Sequence, residues 1–124
     1  MPAAGFQVEL LPGRGIQRSL TLANVGAVAG LVVAFGRSLA SLLRRRPSAM
    51  LVVGGYASLM PAIVAALLRI PVVVSEQNAR ASATNRLAAR WARSCAVPFA
   101  GTDLPRAVLT GSPVRTEVLD AARL

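Results

Sequence analysis

The sequence predicts an α/β fold, a Rossmann-like parallel sheet carrying helices, and three observations lead there. Apolar runs of strand length at residues 49–53 (AMLVV) and 70–74 (IPVVV) are continuous rather than alternating, the pattern of parallel strands buried on both faces. A helix-length segment follows each run, and the connections are short, so strands and helices take turns. With 124 residues, the chain has the length of one domain, and no repeat or linker divides it.

Taken in order, residues 6–11 alternate enough for a short strand, which PGRG at 12–15 breaks. Residues 18–45 suit a long helix with an interruption near Gly26 to Gly30; Arg44, Arg45 and Arg46 suit its negative C-terminal end, and Pro47 stops it. The strand at 49–53 leads into GGY and a helix over 58–69, and the strand at 70–74 leads into SEQN and a helix over 83–93. Short strands are expected at 94–99 and 107–111, with a final turn or helix from residue 112 onward. This is an open sheet of the doubly wound type, in which ligands bind outside the carboxyl ends of the strands.

Charge and composition narrow the chemistry. The net charge is +9, every basic residue is Arg, and no acidic residue lies between Glu9 and Glu76. A one-sign region beside apolar runs fits an anionic partner or a solvated basic face. With no His and the single Cys95, an internal disulfide and His-based acid–base catalysis are excluded, and a zinc site is not expected. Aromatics are 4% of the chain and no nucleic-acid motif is present, so nucleic acid is not an expected partner. The uncharged run at 19–36 is near the length of a membrane span, but Asn24 and its glycines favour a helix that packs on a sheet or lies at a membrane surface.

Three polar segments fall at strand exits: GGY at 54–56, SEQN at 75–78 and TGSPVR at 110–115. Gly54 and Gly55 allow a sharp turn or close backbone approach to a ligand, without the spacing of a phosphate loop or a dinucleotide fingerprint. Tyr56 offers a hydroxyl and a ring, to a ligand or to solvent. Glu76 fits either a general base or an ion pair with Arg80 or Arg86. Asn78 suits sugar hydroxyls, a helix cap or a local turn. Asn85, inside a helix at some cost in propensity, is a candidate ligand residue, and Arg115 suits a diphosphate or solvent.

In their order and spacing, VVGGYAS, IPVVVSEQN, TNRLA and GSPVRTEVL resemble the N-terminal domain of glycosyltransferase family 28, in particular its UDP-N-acetylglucosamine transferases of peptidoglycan synthesis. The opening VELLPGRGIQR resembles the segment before that family's membrane-facing helix. The resemblance implies a two-domain GT-B enzyme with residues 1–124 as a partial N-terminal, acceptor-binding domain. It implies an inverting transfer of N-acetylglucosamine to lipid I, giving lipid II, with no cofactor and no metal ligand. It places Gly54, Gly55, Tyr56, Glu76, Gln77 and Asn85 on the acceptor side, with Glu76 the catalytic candidate. Asn78 and Arg115 correspond to donor-binding positions. It also implies peripheral attachment through residues 14–46 to the anionic inner leaflet, on the cytoplasmic face of the bacterial plasma membrane.

Ser75 stands where the family has His, Leu59 where it has Gly, and Ser112 where Asn is commoner. The family's first strand with its Gly-rich loop, and its C-terminal domain, have no counterpart in these 124 residues. The expectation is therefore a fragment without transferase activity of its own. The alternative is a non-enzymatic basic protein on or across a membrane, which leaves the strand-exit clusters without a role.

Overall fold

The computed structural model describes residues 5–12 and 22–123. Arg14, Arg18 and the PGRG segment beyond Pro12 lie outside them. Helix α1 (Leu22–Arg45) is followed by β1 (Met50–Val52), α2 (Tyr56–Leu67), β2 (Val72–Ser75), α3 (Ala83–Ala88), β3 (Ser94–Val97), β4 (Ala107–Leu109) and α4 (Thr116–Ala121). The four strands form one parallel sheet in the order β1-β2-β3-β4, with Val52 beside Val74, Val74 beside Cys95 and Cys95 beside Ala107. The expected parallel α/β sheet is present.

Its covering differs from the expectation. The strands advance across the sheet without reversing, and right-handed crossovers then place α2 and α3 on the same face. On that face Val52, Val72, Val74, Cys95 and Val97 are buried against Ala62 and Ala65 of α2, Ala88 of α3, and Ala89 and Ala92 just after it. On the other face Leu51, Val53 and Val108 remain exposed. Continuous apolarity predicts burial on both faces, but the described helices cover one. Helix α1 packs on α2, burying Ala27, Ala34 and Ser38, rather than on the sheet.

Three further expectations are corrected. Residues 6–11 form no strand: no described strand lies alongside them, and Phe6, Val8 and Leu10 are exposed. The segment leans on α1 instead, where Ser41 Oγ donates to Glu9 Oε2 at 2.6 Å and Arg37 Nη1 to Leu10 O at 3.2 Å. Helix α1 runs through Gly26 and Gly30 unbroken, because no neighbour crowds either glycine and the hydrogen-bonded ladder has no cause to part. Helix α3 ends at Ala88 rather than near Arg93. The Arg106 guanidinium, from the segment entering β4, takes the carbonyls of Ala89, Arg90 and Ala92, the last at 2.8 Å, and so holds the turn that follows the helix.

The helix ends on the amino side of the sheet are arginine-rich. Arg46, Arg69 and Arg106 are the non-glycine residues with positive φ among those described, at 45°, 58° and 53°. Arg69 occupies the left-handed position of a Schellman turn, with Ile70 N–H bonded to Ala65 O at 2.8 Å and Arg69 N–H to Ala66 O at 3.1 Å.

Candidate active site

The polar residues at the β2 exit close around Glu76. Its backbone N–H bonds to Ala96 O of β3 at 3.0 Å, so the ladder carries it one residue beyond β2. Strand alternation then turns its side chain to the same face as Val72 and Val74, under the loop that leads to α3, and it is 4% exposed. A buried carboxylate is stable only if its lone pairs are met. Five donors meet them: Gln77 N–H at 2.9 Å, Asn78 N–H at 2.9 Å, Asn78 Nδ2 at 3.0 Å, Ser82 N–H at 3.0 Å and Asn85 Nδ2 at 2.8 Å.

These bonds set its protonation. Desolvation by burial raises the Glu76 pKa, but the hydrogen bonds from Ser82, Asn85, Asn78 and Gln77 outweigh it and lower the value from the ordinary 4.5 to about 2. A carboxylate so acidic and so fully occupied is a poor proton acceptor at neutral pH. The geometry therefore speaks against Glu76 as a general base, and no bond to Arg80 or Arg86 supports the ion-pair reading among the described residues. Glu76 organises the loop around itself.

The glycine turn stands against this cluster. Gly54 and Gly55 have φ of 99° and 83°, values that side-chain-bearing residues rarely adopt, so glycine is required here. A Cβ placed on Gly54 would meet Asn85 Nδ2 at 3.4 Å and Ser82 Oγ at 3.5 Å, so the β1 and β2 exits are in direct contact. Ser58 Oγ bonds to the carbonyls of Gly54 at 2.9 Å and Gly55 at 2.8 Å. Helix α2 starts at Tyr56 with no side-chain cap, and its first N–H groups face this edge, where an anionic oxygen is favoured.

Gly54, Gly55, Glu76, Asn78 and Asn85 are thus brought together. Tyr56 opens α2 with its side chain exposed, two residues earlier than the helix was expected to begin. Gln77 contributes its backbone N–H and is otherwise exposed. Asn78 bonds to Glu76 rather than capping α3. Arg115 is the backbone N-cap of α4 in a wholly exposed segment and makes no hydrogen bond to the cluster. Ser82, which the sequence reading passed over, is central. It caps α3 by accepting from Asn85 N–H at 3.2 Å, while its own N–H holds Glu76. A Ser directly before the first residue of a helix was the available signal.

Cys95 is fully buried, and burial raises its pKa against the opposing charge of Arg106, which suits an inert core thiol. Among the described residues no three His, Cys, Asp or Glu side chains gather into a possible metal site.

The class to which this sheet and site belong is matched directly. Residues 1–97 fit the glycosyltransferase family 28 N-terminal domain, and the chain belongs to that family. Its relatives include proteins named UDP-N-acetylglucosamine–N-acetylmuramyl-(pentapeptide) pyrophosphoryl-undecaprenol N-acetylglucosamine transferase. The one from Burkholderia lata is 40% identical over 95% of this chain and 32% of its own length. That from Pelobacter propionicus is 38% identical over 97% of this chain and 33% of its own. The crystal structure of Acinetobacter baumannii MurG superposes with a TM-score of 0.67 at 30% identity, covering 88% of this chain and 32% of that one. The chain spans about a third of the length of these relatives.

Proposed function

We propose that residues 1–124 form the acceptor-binding part of an inverting GT-B transferase that moves N-acetylglucosamine from UDP-N-acetylglucosamine to lipid I, giving lipid II. The observation that carries this reading is the joined β1 and β2 exit in a family 28 chain: a glycine turn, an uncapped helix start and a Glu76-centred amide cluster on one edge. The relatives' names supply the reaction. In it, the acceptor's C4 hydroxyl attacks C1 of the donor sugar and UDP leaves. Gly54, Gly55, Tyr56, Gln77 and Asn85 act on the acceptor. Asn78, at the exposed rim of the cluster, and Arg115 act on the donor. Glu76 acts through the loop it holds, and the proton acceptor is a different group.

Helix α1 supports the membrane part of the reading. One side of it, with Ala27, Ala34 and Ser38, is buried, while Val25, Val28, Val32 and Val33 are exposed, with Arg37, Arg44 and Arg45 toward its end. The helix is long and apolar enough to cross a membrane by length and composition. Its packing on α2 favours the surface instead: an apolar stripe with arginines alongside rests on anionic lipid as a peripheral contact, on the cytoplasmic face. Vesicles containing anionic phospholipid are expected to retain the chain at low salt and release it at high salt; retention through alkaline wash favours a span instead.

The transfer is tested by joining this chain to the remaining two thirds of the Burkholderia lata relative. Labelled N-acetylglucosamine should pass to lipid I with the joined protein and not with the 124-residue chain alone. A joined protein that is folded, binds UDP-N-acetylglucosamine and transfers nothing refutes the proposal.

A further inference from the structure

Three arginines share an open groove beside the Glu76 loop. The groove has a volume of about 440 Å³ and is lined by Arg80, Ala81, Ala83, Arg86, Leu87 and Arg90. Arg80 belongs to the loop itself, between Asn78 and Ser82, whose N–H groups hold Glu76. Arg86 lies on α3 and Arg90 in the turn after it. Ala81, Ala83 and Leu87 supply the apolar part of the lining.

The charge of this groove is unanswered within the chain. All three arginines are exposed. Among the described residues no hydrogen bond or ion pair engages their guanidinium groups, the one ion pair being Arg45 with Glu9. Glu76, the only acid between Glu9 and Asp103, is 4% exposed and spent on five donors. Like charges gathered about one cavity repel each other, and an anion relieves them. At this size the cavity takes a molecule rather than a single ion.

We propose that the groove holds the peptide of the acceptor, with the peptide's terminal carboxylate between Arg86 and Arg90. The proposal rests on the transferase reading above, and the relatives' names place a pentapeptide on the N-acetylmuramyl unit. That peptide is carried at C3 of the sugar, next to the attacking C4 hydroxyl, whereas the diphosphate on C1 lies across the ring. A substituent at C3 therefore leaves the strand-exit edge beside the reacting carbon, where Arg80 stands in the loop. An extended pentapeptide spans about 17 Å, and the six residues of α3 rise about 9 Å, so the far end of the peptide reaches Arg90. A guanidinium meets a planar carboxylate through two parallel hydrogen bonds. A membrane is the poorer occupant: no large apolar side chain is exposed between Leu67 and Phe99, and a lipid surface needs apolar burial as well as charge.

The test is a nuclear magnetic resonance titration of the ¹⁵N-labelled 124-residue chain with N-acetylmuramoyl-pentapeptide, and in parallel with its C-terminal carboxamide, inorganic diphosphate and phosphatidylglycerol vesicles. The free acid is expected to shift the Nε–H signals of Arg86 and Arg90, and to bind about tenfold more tightly than the carboxamide, the value of two exposed ion pairs. Arg86→Gln with Arg90→Gln should weaken the free acid by the same factor and leave the carboxamide unchanged, an equality that a general disturbance of the fold would not produce. Equal binding of acid and carboxamide, undiminished binding by the double variant, or a stronger response to diphosphate or vesicles than to the peptide would overturn the subsite. The transferase reading fails separately. In the joined enzyme the double variant should raise KM for lipid I and leave KM for UDP-N-acetylglucosamine alone. If that enzyme transfers sugar with both KM values unchanged, the groove falls and the reaction stands. If the peptide titrates as expected and the joined enzyme is inert, the reverse holds.

Discussion

The two edges of the sheet solve opposite electrostatic problems. At the carboxyl edge a single anion, Glu76, draws five donors inward and folds a loop around itself. At the amino edge the helix ends meet a set of cations, and Arg46 and Arg69 sit in backbone positions where glycine is the usual occupant. The carboxyl edge is organised by a charge that has lost its water and must be satisfied. The amino edge is populated by charges that keep theirs and complement helix dipoles.

The comparison breaks most visibly at Glu76. A pKa of about 2 in the fold against about 4.5 unfolded corresponds to about 3 kcal/mol. Because the folded value is the lower, that stability is present above pH 4.5 and is lost as pH falls toward 2. Urea unfolding of Glu76→Ala at pH 7 should show a loss of at least that order. Glu76→Gln should also be destabilised at neutral pH, with a flatter stability profile between pH 5 and 2. An unchanged profile would show that the carboxylate is not the organiser.

Arg106 is the amino-edge residue that behaves as Glu76 does, since its guanidinium serves the carbonyls of Ala89, Arg90 and Ala92. Arg106→Ala should cost about 2 kcal/mol in urea unfolding, the range for hydrogen bonds from a charged group. The same change should speed amide exchange at the end of α3. Arg69 is the contrasting case. Arg69→Gly relieves a left-handed backbone and should raise stability by about 1 kcal/mol. The smallest effect lies away from both edges: Gly30→Ala in α1 meets no neighbour and should add about 0.5–1 kcal/mol in thermal unfolding.

Strand positions were legible because short apolar runs carry their own signal, and the β1 and β2 runs appear within two residues of where they were expected. Which face is covered was not legible, since it depends on strand order, a long-range property. The turn after α3 was hidden for the same reason: the residue that holds it, Arg106, lies 16 positions beyond Arg90, whose carbonyl it takes. At the site, the strand-exit rule gathered Gly54, Glu76 and Asn78 onto one edge, and Asn85 joins them from α3, where its cost in helix propensity had marked it. The role of Glu76 escaped because three of its five donors are backbone N–H groups, which residue identity does not announce. Arg115 stood in the sequence as an equal partner, but the segment after β4 gives it no bond to the cluster.

The outer margin of β1 has a practical consequence. Among the described residues, Met50, Leu51 and Val52 pair with β2 on one side only, and none of the described charges, prolines or bulges guards the other. Beside them Leu51 and Val53 meet solvent at 62% and 56% exposure. A purified preparation should therefore cloud as its concentration rises, and a single lysine in place of Leu51 should keep it clear. Yield and shelf life would then depend on one three-residue border rather than on the chemistry at the other end of the strands.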